Sequence, residues 1–120
     1  MIIDGHVHVG TRTGLSQTVN ELLEKMDTQE VDKSIIFNMV EAIDNDFVAR
    51  AMHGQPDRLI GFAVINPWMP DAPDELRRSI GLGLKGLKLH PTLHGYDISN
   101  HALVDPLLEI CSENQVPVIG

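Results

Sequence analysis

The sequence is poor in several residue types, and each shortage argues against a class of protein. Cys111 is the only cysteine among the 120 residues, so no internal disulfide forms and a reducing compartment is expected. Nine Lys and Arg against 17 Asp and Glu give a formal charge of −8, which argues against nucleic-acid or anionic-membrane binding. No apolar run approaches the roughly 20 residues that span a bilayer. We expect a cytoplasmic protein with a small-molecule partner.

What is present is an ordinary globular composition. Hydrophobic residues make up 42% of the chain and charged residues 22%, which suits a buried core. At this length, residues 1–120 form one domain at most.

A pair of histidines lies close to the start of the chain, in the segment DGHVH at residues 4–8. The apolar residues around it predict a short buried strand that runs into a loop. Because side chains alternate along a strand, Asp4, His6 and His8 are expected on one face. Two imidazoles at a strand end suit a metal ion, although spacing alone leaves hydrogen-bonded structural histidines as the alternative.

Strand and helix patterns then alternate along the chain. Thr18 and Glu21 form a predicted capping box at the first helix, and Asp71 with Asp74 is predicted to cap the third. Residues 10–16 are expected to be a polar loop, and a second loop is expected to carry His94 and His101. Further strands are predicted at 33–38, 59–65, 86–91 and 116–120, and helices from Asp44 or Asn45 to His53, from Asp71, and from Asp105-Pro106 with Leu107, Leu108 and Cys111 buried.

This order predicts βα units with a parallel sheet. Successive strands end in His8, Asn38, Asn66 and His90, and polar strand ends converge at the mouth of a (β/α)8 barrel. We therefore expect an α/β fold that is the N-terminal half of a TIM barrel, with four βα units and the start of strand five. An open doubly wound sheet, as in a small binding module, is the alternative, but no glycine-rich phosphate loop follows a strand.

The motifs in this order resemble the metal-dependent amidohydrolase-related family, in particular the branch that includes metal-dependent decarboxylases. The resemblance rests on residues 4–8, on VDKS at 31–34, on PDRLIG at 56–61 and on GLKLHP at 86–91. It implies that His6 and His8 bind a divalent metal, usually zinc, which activates a water molecule. It also implies that further metal ligands and the general base lie beyond Gly120.

Other polar residues are weaker candidates for the site. Lys88 and His90 share a face of the fourth strand and are candidates for metal or substrate contact, the alternative for Lys88 being an ion pair with a carboxylate such as Asp4. Asn38, Asn66 and His94 are candidates for substrate contact, with solvent-exposed loop histidine as the alternative for His94.

Two functional hypotheses of different kinds follow. The first is a metal-dependent hydrolase that cleaves a C–N or C–O bond of a small organic substrate, with a decarboxylase on the same scaffold as its variant. The second is a non-catalytic half barrel that acts only after self-association through exposed sheet edges, as a homo-oligomer.

Overall fold

Strands and helices alternate along the chain in the computed structural model, which describes residues 1–12 and 14–120. The strands are β1 (Ile3–Arg12), β2 (Leu15–Gln17), β3 (Lys33–Asn38), β4 (Leu59–Gly61), β5 (Ala63–Val64), β6 (Leu87–Lys88) and β7 (Val118–Ile119). The helices are α1 (Val19–Thr28), α2 (Asn45–Gly54), α3 (Ala72–Gly81), α4 (Pro91–His94) and α5 (His101–Asn114).

Parallel strands follow one another across the sheet in chain order. One set has the order β2-β1-β3-β4 and the other β5-β6-β7, and all neighbours are parallel except the β1–β2 hairpin. The predicted strand 59–65 is divided at Phe62 into β4 and β5. β4 pairs with β3, and β5 pairs with β6. Such staggered pairing is how a sheet curves into a barrel. Sequential order without reversal confirms the predicted half barrel and is not that of a doubly wound sheet.

The sheet is covered on its outer face by the helices. The larger buried cluster joins Ile36, Leu59 and Leu87 to helix residues such as Leu76 and Leu107. A smaller cluster of Phe37, Val40, Phe62 and Val64, with partly buried Ile35, Ile60 and Ile119 against it, lies apart from these helix contacts. We assign it to the inner face, which in a TIM barrel faces the axis.

The first strand departs from the predicted alternation. Asp4 pairs with Ser34 and His8 pairs with Phe37, and the register shifts between Asp4 and Val7. Since Ser34 and Phe37 are three residues apart in a strand, they lie on opposite faces, and so do Asp4 and His8. The predicted shared face of Asp4, His6 and His8 is therefore wrong for Asp4, because a bulge adds one residue to β1. The strand is also less buried than predicted, with Ile3 51% exposed.

Both predicted polar loops contain regular structure. Within residues 10–16, β1 extends to Arg12 and pairs with β2, while Thr13 lies outside the described residues. The loop that was to carry His94 contains α4, and His101 begins α5. This last helix starts four residues before Asp105, so Pro106 lies inside it, beyond the first turn, and its missing N–H removes one hydrogen bond of the helix.

Of three local predictions, the cap of the first helix is confirmed, whereas the cap of the third helix and the burial of Leu108 are wrong. Thr18 Oγ1 accepts a hydrogen bond from the Glu21 amide at 3.1 Å, as predicted. Asp71 occupies the equivalent position of α3 but makes no side-chain capping bond. Leu108 is 37% exposed rather than buried, because Leu107, Ile110 and Cys111 form the inner side of α5.

The described residues include no helix that is long and apolar enough to cross a membrane.

Candidate functional site

His6 and His8 meet around one aromatic ring on the inner face of the sheet. Their ring centroids are 5.3 Å apart, and they approach the Phe37 ring edge-on at 4.8 and 4.6 Å. The Nζ atom of Lys88 lies 5.3 Å from the centroid of the same ring. We call His6, His8, Phe37 and Lys88 the Phe37 cluster. It brings together three of the predicted site residues.

The tautomer of His8 is set by the backbone of the neighbouring strand. Its Nδ1 atom lies 3.2 Å from the main-chain oxygen of Asn38. A carbonyl oxygen only accepts hydrogen bonds, so Nδ1 carries the proton and Nε2 keeps its lone pair. Metal-binding histidines commonly have their second nitrogen held in this way. His8 therefore fits the role of a metal ligand through Nε2.

Both histidines have a pKa below the usual value of 6.5. Burial is the main cause for each, and the charge of Lys88 lowers both pKa values further. The Asn38 carbonyl opposes the shift at His8, and Asp4 opposes it at His6. Neutral imidazole is the form that binds metals, so these shifts favour ligation near neutral pH.

Two nitrogen ligands do not complete a metal site. In the described part of the chain, no group of three or more His, Cys, Asp and Glu side chains is placed to hold a metal ion. The bulge in β1 places Asp4 on the face opposite to His8, and its carboxylate accepts a hydrogen bond from the His6 amide at 3.1 Å. The residues present fit two positions of a metal's coordination sphere.

Lys88 lies almost fully inside the protein, with 2% of its surface exposed. The expected ion pair with Asp4 is not formed, and the salt bridges among residues 1–12 and 14–120 do not include Lys88. Burial alone lowers its pKa. Its contact with Phe37 is a cation–π interaction, which stabilises the charge only in part.

His90 lies beyond the end of β6 and not at the predicted strand end, and its ring is in the opposite hydrogen-bonding state to that of His8. It precedes α4, and its Nδ1 accepts a hydrogen bond from the Leu93 amide at 3.3 Å. Nδ1 then has no proton, so Nε2–H is a donor. In this state His90 is suited to donate a hydrogen bond to substrate, and less suited to bind a metal through Nε2.

The remaining candidates have partners inside the protein. Asn38 is 3% exposed; its amide donates to the Val9 oxygen at 3.1 Å and accepts from the Asp44 amide at 2.9 Å. Asn66 accepts from the Trp68 amide at 3.1 Å. These side chains shape the strand ends, and their predicted contact with substrate stays a prediction.

His94 is held by a carbonyl oxygen far away in sequence. Its Nε2 lies 3.0 Å from the Val40 oxygen and therefore donates, while Nδ1 is buried without a partner. The ring is partly buried in α4, in contrast to the exposed loop histidine that was the alternative. Its predicted contact with substrate also stays a prediction.

His6 and His8 line a cavity of about 390 Å³. A larger cavity, of about 540 Å³, lies beside the strand ends and is lined by Asn66 and His94 but by neither His6 nor His8. Its polar wall is largely self-paired. Arg78 donates to Glu75 and to Asp46 at 2.8 Å each, and Asn45 donates to Glu75 at 3.2 Å. These hydrogen bonds hold the pKa of Glu75 below its usual value, and the hydrogen bond from Arg78 has the largest effect. Volume therefore identifies the site less well than chemistry, and we place it at the Phe37 cluster.

Sequence reasoning missed Phe37, which joins the two histidines to Lys88. The signal was its position, since Phe37 precedes Asn38 at the end of a strand predicted to neighbour the first. An apolar residue in an apolar run gives no other sign of a role at a polar site.

The chain belongs to the amidohydrolase family, whose model matches residues 3–119. This confirms the resemblance drawn from the sequence motifs. No curated protein matches the chain.

Solved structures with the same fold include proteins of more than one activity. The chain is 24% identical to 5-carboxyvanillate decarboxylase from Novosphingobium aromaticivorans, crystallised with manganese and 3-methoxy-4-hydroxy-5-nitrobenzoic acid (TM-score 0.69, 81% of this chain). It is 18% identical to 4-oxalomesaconate hydratase from Rhodopseudomonas palustris (TM-score 0.72, 98%). It is 15% identical to a TIM-barrel protein from Bordetella bronchiseptica (TM-score 0.77, 98%).

These likenesses establish the fold, which is that of part of a TIM barrel. The chain spans 32%, 51% and 53% of the decarboxylase, the hydratase and the Bordetella protein.

Proposed function

We propose that His6 and His8 are two ligands of a divalent metal in a metal-dependent enzyme that acts on a small organic substrate. The observation that carries the proposal is the hydrogen bond from His8 Nδ1 to the Asn38 oxygen, which leaves Nε2 free beside the ring of His6. The manganese in the structure of the Novosphingobium decarboxylase supports a divalent metal. Zinc and manganese both accept imidazole ligands, so both are tested.

Hydrolysis of a C–N or C–O bond is the first candidate reaction. When bound, a divalent metal lowers the pKa of water and polarises a substrate oxygen, as hydrolysis requires. The chain's own residues position and bind: His6 and His8 hold the metal, and His90 offers Nε2–H to the substrate. Phe37 and its apolar neighbours exclude water from this side of the site.

Decarboxylation is the second candidate, and one specific observation favours it. The Novosphingobium protein, with the same fold, is a decarboxylase of an aromatic acid and was crystallised with a nitrobenzoic acid. An apolar inner face that contains Phe37 and Phe62 suits a flat aromatic ring. The hydratase with the same fold shows that fold alone does not select the reaction.

The test is turnover by the intact metal-loaded protein with amides, lactones and aromatic acids. Acid released from amides or lactones supports the hydrolase, and CO₂ released from aromatic acids supports the decarboxylase. Either activity should be lost in His6→Ala and His8→Ala and kept in His101→Ala, since His101 is on the exposed side of α5. Turnover that survives both site variants would contradict the proposal.

Self-association through sheet edges is a separate proposal. Ile2, just before β1, and Ile3, its first residue, are 56% and 51% exposed, and Val118 in β7 is 38% exposed. Apolar residues on the outermost parallel strands favour pairing with a second copy. Light scattering on the eluting protein should give a dimer or larger species, and a monomer would contradict it.

A further inference from the structure

Lys88 is a buried cation that the metal-binding role of its neighbours does not explain. It is the last residue of β6, and its Nζ lies over the ring that also contacts His6 and His8. The ammonium therefore faces the same region as the two imidazoles.

Nothing in the described part of the chain neutralises this charge. The salt bridges there do not include Lys88, and its ring contact satisfies the charge only partly. Burying an unpaired ammonium is unfavourable, so an anion that binds beside Lys88 would stabilise its charge.

A role as a metal ligand fits the surroundings less well. A protonated lysine has three donors and no acceptor, so it binds a metal only after it loses a proton or is carboxylated. A carboxylated lysine that bridges two metals needs further ligands, and residues 1–12 and 14–120 contain no cluster of three or more ligating side chains.

We propose that Lys88 binds a carboxylate of the substrate and is a specificity-determining residue of the site. The inference rests on the proposed function, since it places this carboxylate beside the metal held by His6 and His8. Phe37 and Phe62 on the inner face would contact the apolar body of the same molecule. Lys88 would thus select acids over neutral molecules of the same shape.

The experiment compares benzoate with its neutral analogue benzamide by calorimetry on the intact metal-loaded protein. Lys88→Met removes the charge and keeps the length, Lys88→Arg keeps the charge, and Lys85→Met is a matched control at an exposed position of the same segment. Lys88→Met should weaken benzoate binding about tenfold or more and leave benzamide binding unchanged. Lys88→Arg should keep most of the preference for benzoate over benzamide. Lys85→Met should keep the full wild-type preference.

Unchanged benzoate binding by Lys88→Met would overturn the proposal, because the charge of Lys88 would then not contribute to binding of the carboxylate. Loss of metal from Lys88→Met would also overturn it, since that is the result for a bridging ligand. Should Lys88→Met not fold, wild type and Lys88→Arg must still prefer benzoate about tenfold, and equal affinities contradict the proposal. Metal content of wild type in the same samples tests the proposed function separately, because a metal-free protein fails that function whatever Lys88 does.

Discussion

The Nδ1 atom of His8 and the main-chain oxygen of Asn38 are 3.2 Å apart across two parallel strands. This contact links the last residue of β3 to a candidate metal ligand within β1. Because the partner is a backbone oxygen, the contact depends on strand register and does not require a particular side chain at position 38.

The contact predicts a single tautomer of His8 near neutral pH. With metal removed, Nδ1 should be protonated and Nε2 unprotonated, because only a donor can face the carbonyl oxygen. Two-dimensional ¹H–¹⁵N spectra that correlate ring nitrogens with ring carbon-bound protons distinguish the two forms, with His8→Gln identifying the signal. An Nε2–H tautomer of His8 would contradict this geometry.

Asn38 is predicted to matter mainly for stability. Asn38→Ala leaves the Val9 oxygen and the Asp44 amide without their partners in a site that is 3% exposed. We expect a loss of about 2–4 kcal/mol in the free energy of unfolding, measured with urea. Asn66→Ala is the matched control and should cost less than about 1 kcal/mol, because its bond to the Trp68 amide is exposed. Equal losses would show that Asn38 has no special structural role.

Glu75 is predicted to make stability depend on pH in the acid range. Its pKa lies below the usual 4.5, chiefly because Arg78 donates hydrogen bonds to it. The folded state thus binds its proton less readily than the unfolded state, so the stabilisation is fully present above pH 4.5 and is lost as pH falls through the lowered pKa.

The matching variant is Glu75→Gln, which we expect to be less stable than wild type by about 1 kcal/mol at pH 7 because Glu75 is largely shielded from water. The difference should shrink as the pH falls below 4.5. Glu113→Gln, at an exposed position of α5, should match wild type throughout. A constant Glu75→Gln difference at every pH would mean that the pair contributes no titratable stability.

Local patterns in the sequence predicted much of this fold because local physics decides those features. The Thr18 cap, the helix ending at Gly54 and the strand 33–38 each depend on residues a few positions apart. The sequential parallel order follows from alternating strands and helices of similar length. The shared face of His6 and His8 follows from their spacing, whereas their predicted position at a strand end is wrong, because β1 continues to Arg12.

Other features depend on pairing between distant segments and could not be predicted. The bulge that turns Asp4 away exists only in the register between β1 and β3. His94 is held by the Val40 oxygen, 54 residues away, and Lys88 rests over Phe37 rather than beside a carboxylate. Each of these reassigns a candidate side chain without changing the fold.

Metal binding by the intact protein shows whether His6 and His8 are metal ligands. The protein is stripped with chelator, loaded with manganese or zinc and analysed by mass spectrometry of the bound metal, for wild type, His6→Ala, His8→Ala and His101→Ala. We predict that wild type and His101→Ala retain the metal, whereas each site variant loses more than about 100-fold in affinity. Retention of the wild-type amount by His6→Ala and His8→Ala would contradict the account.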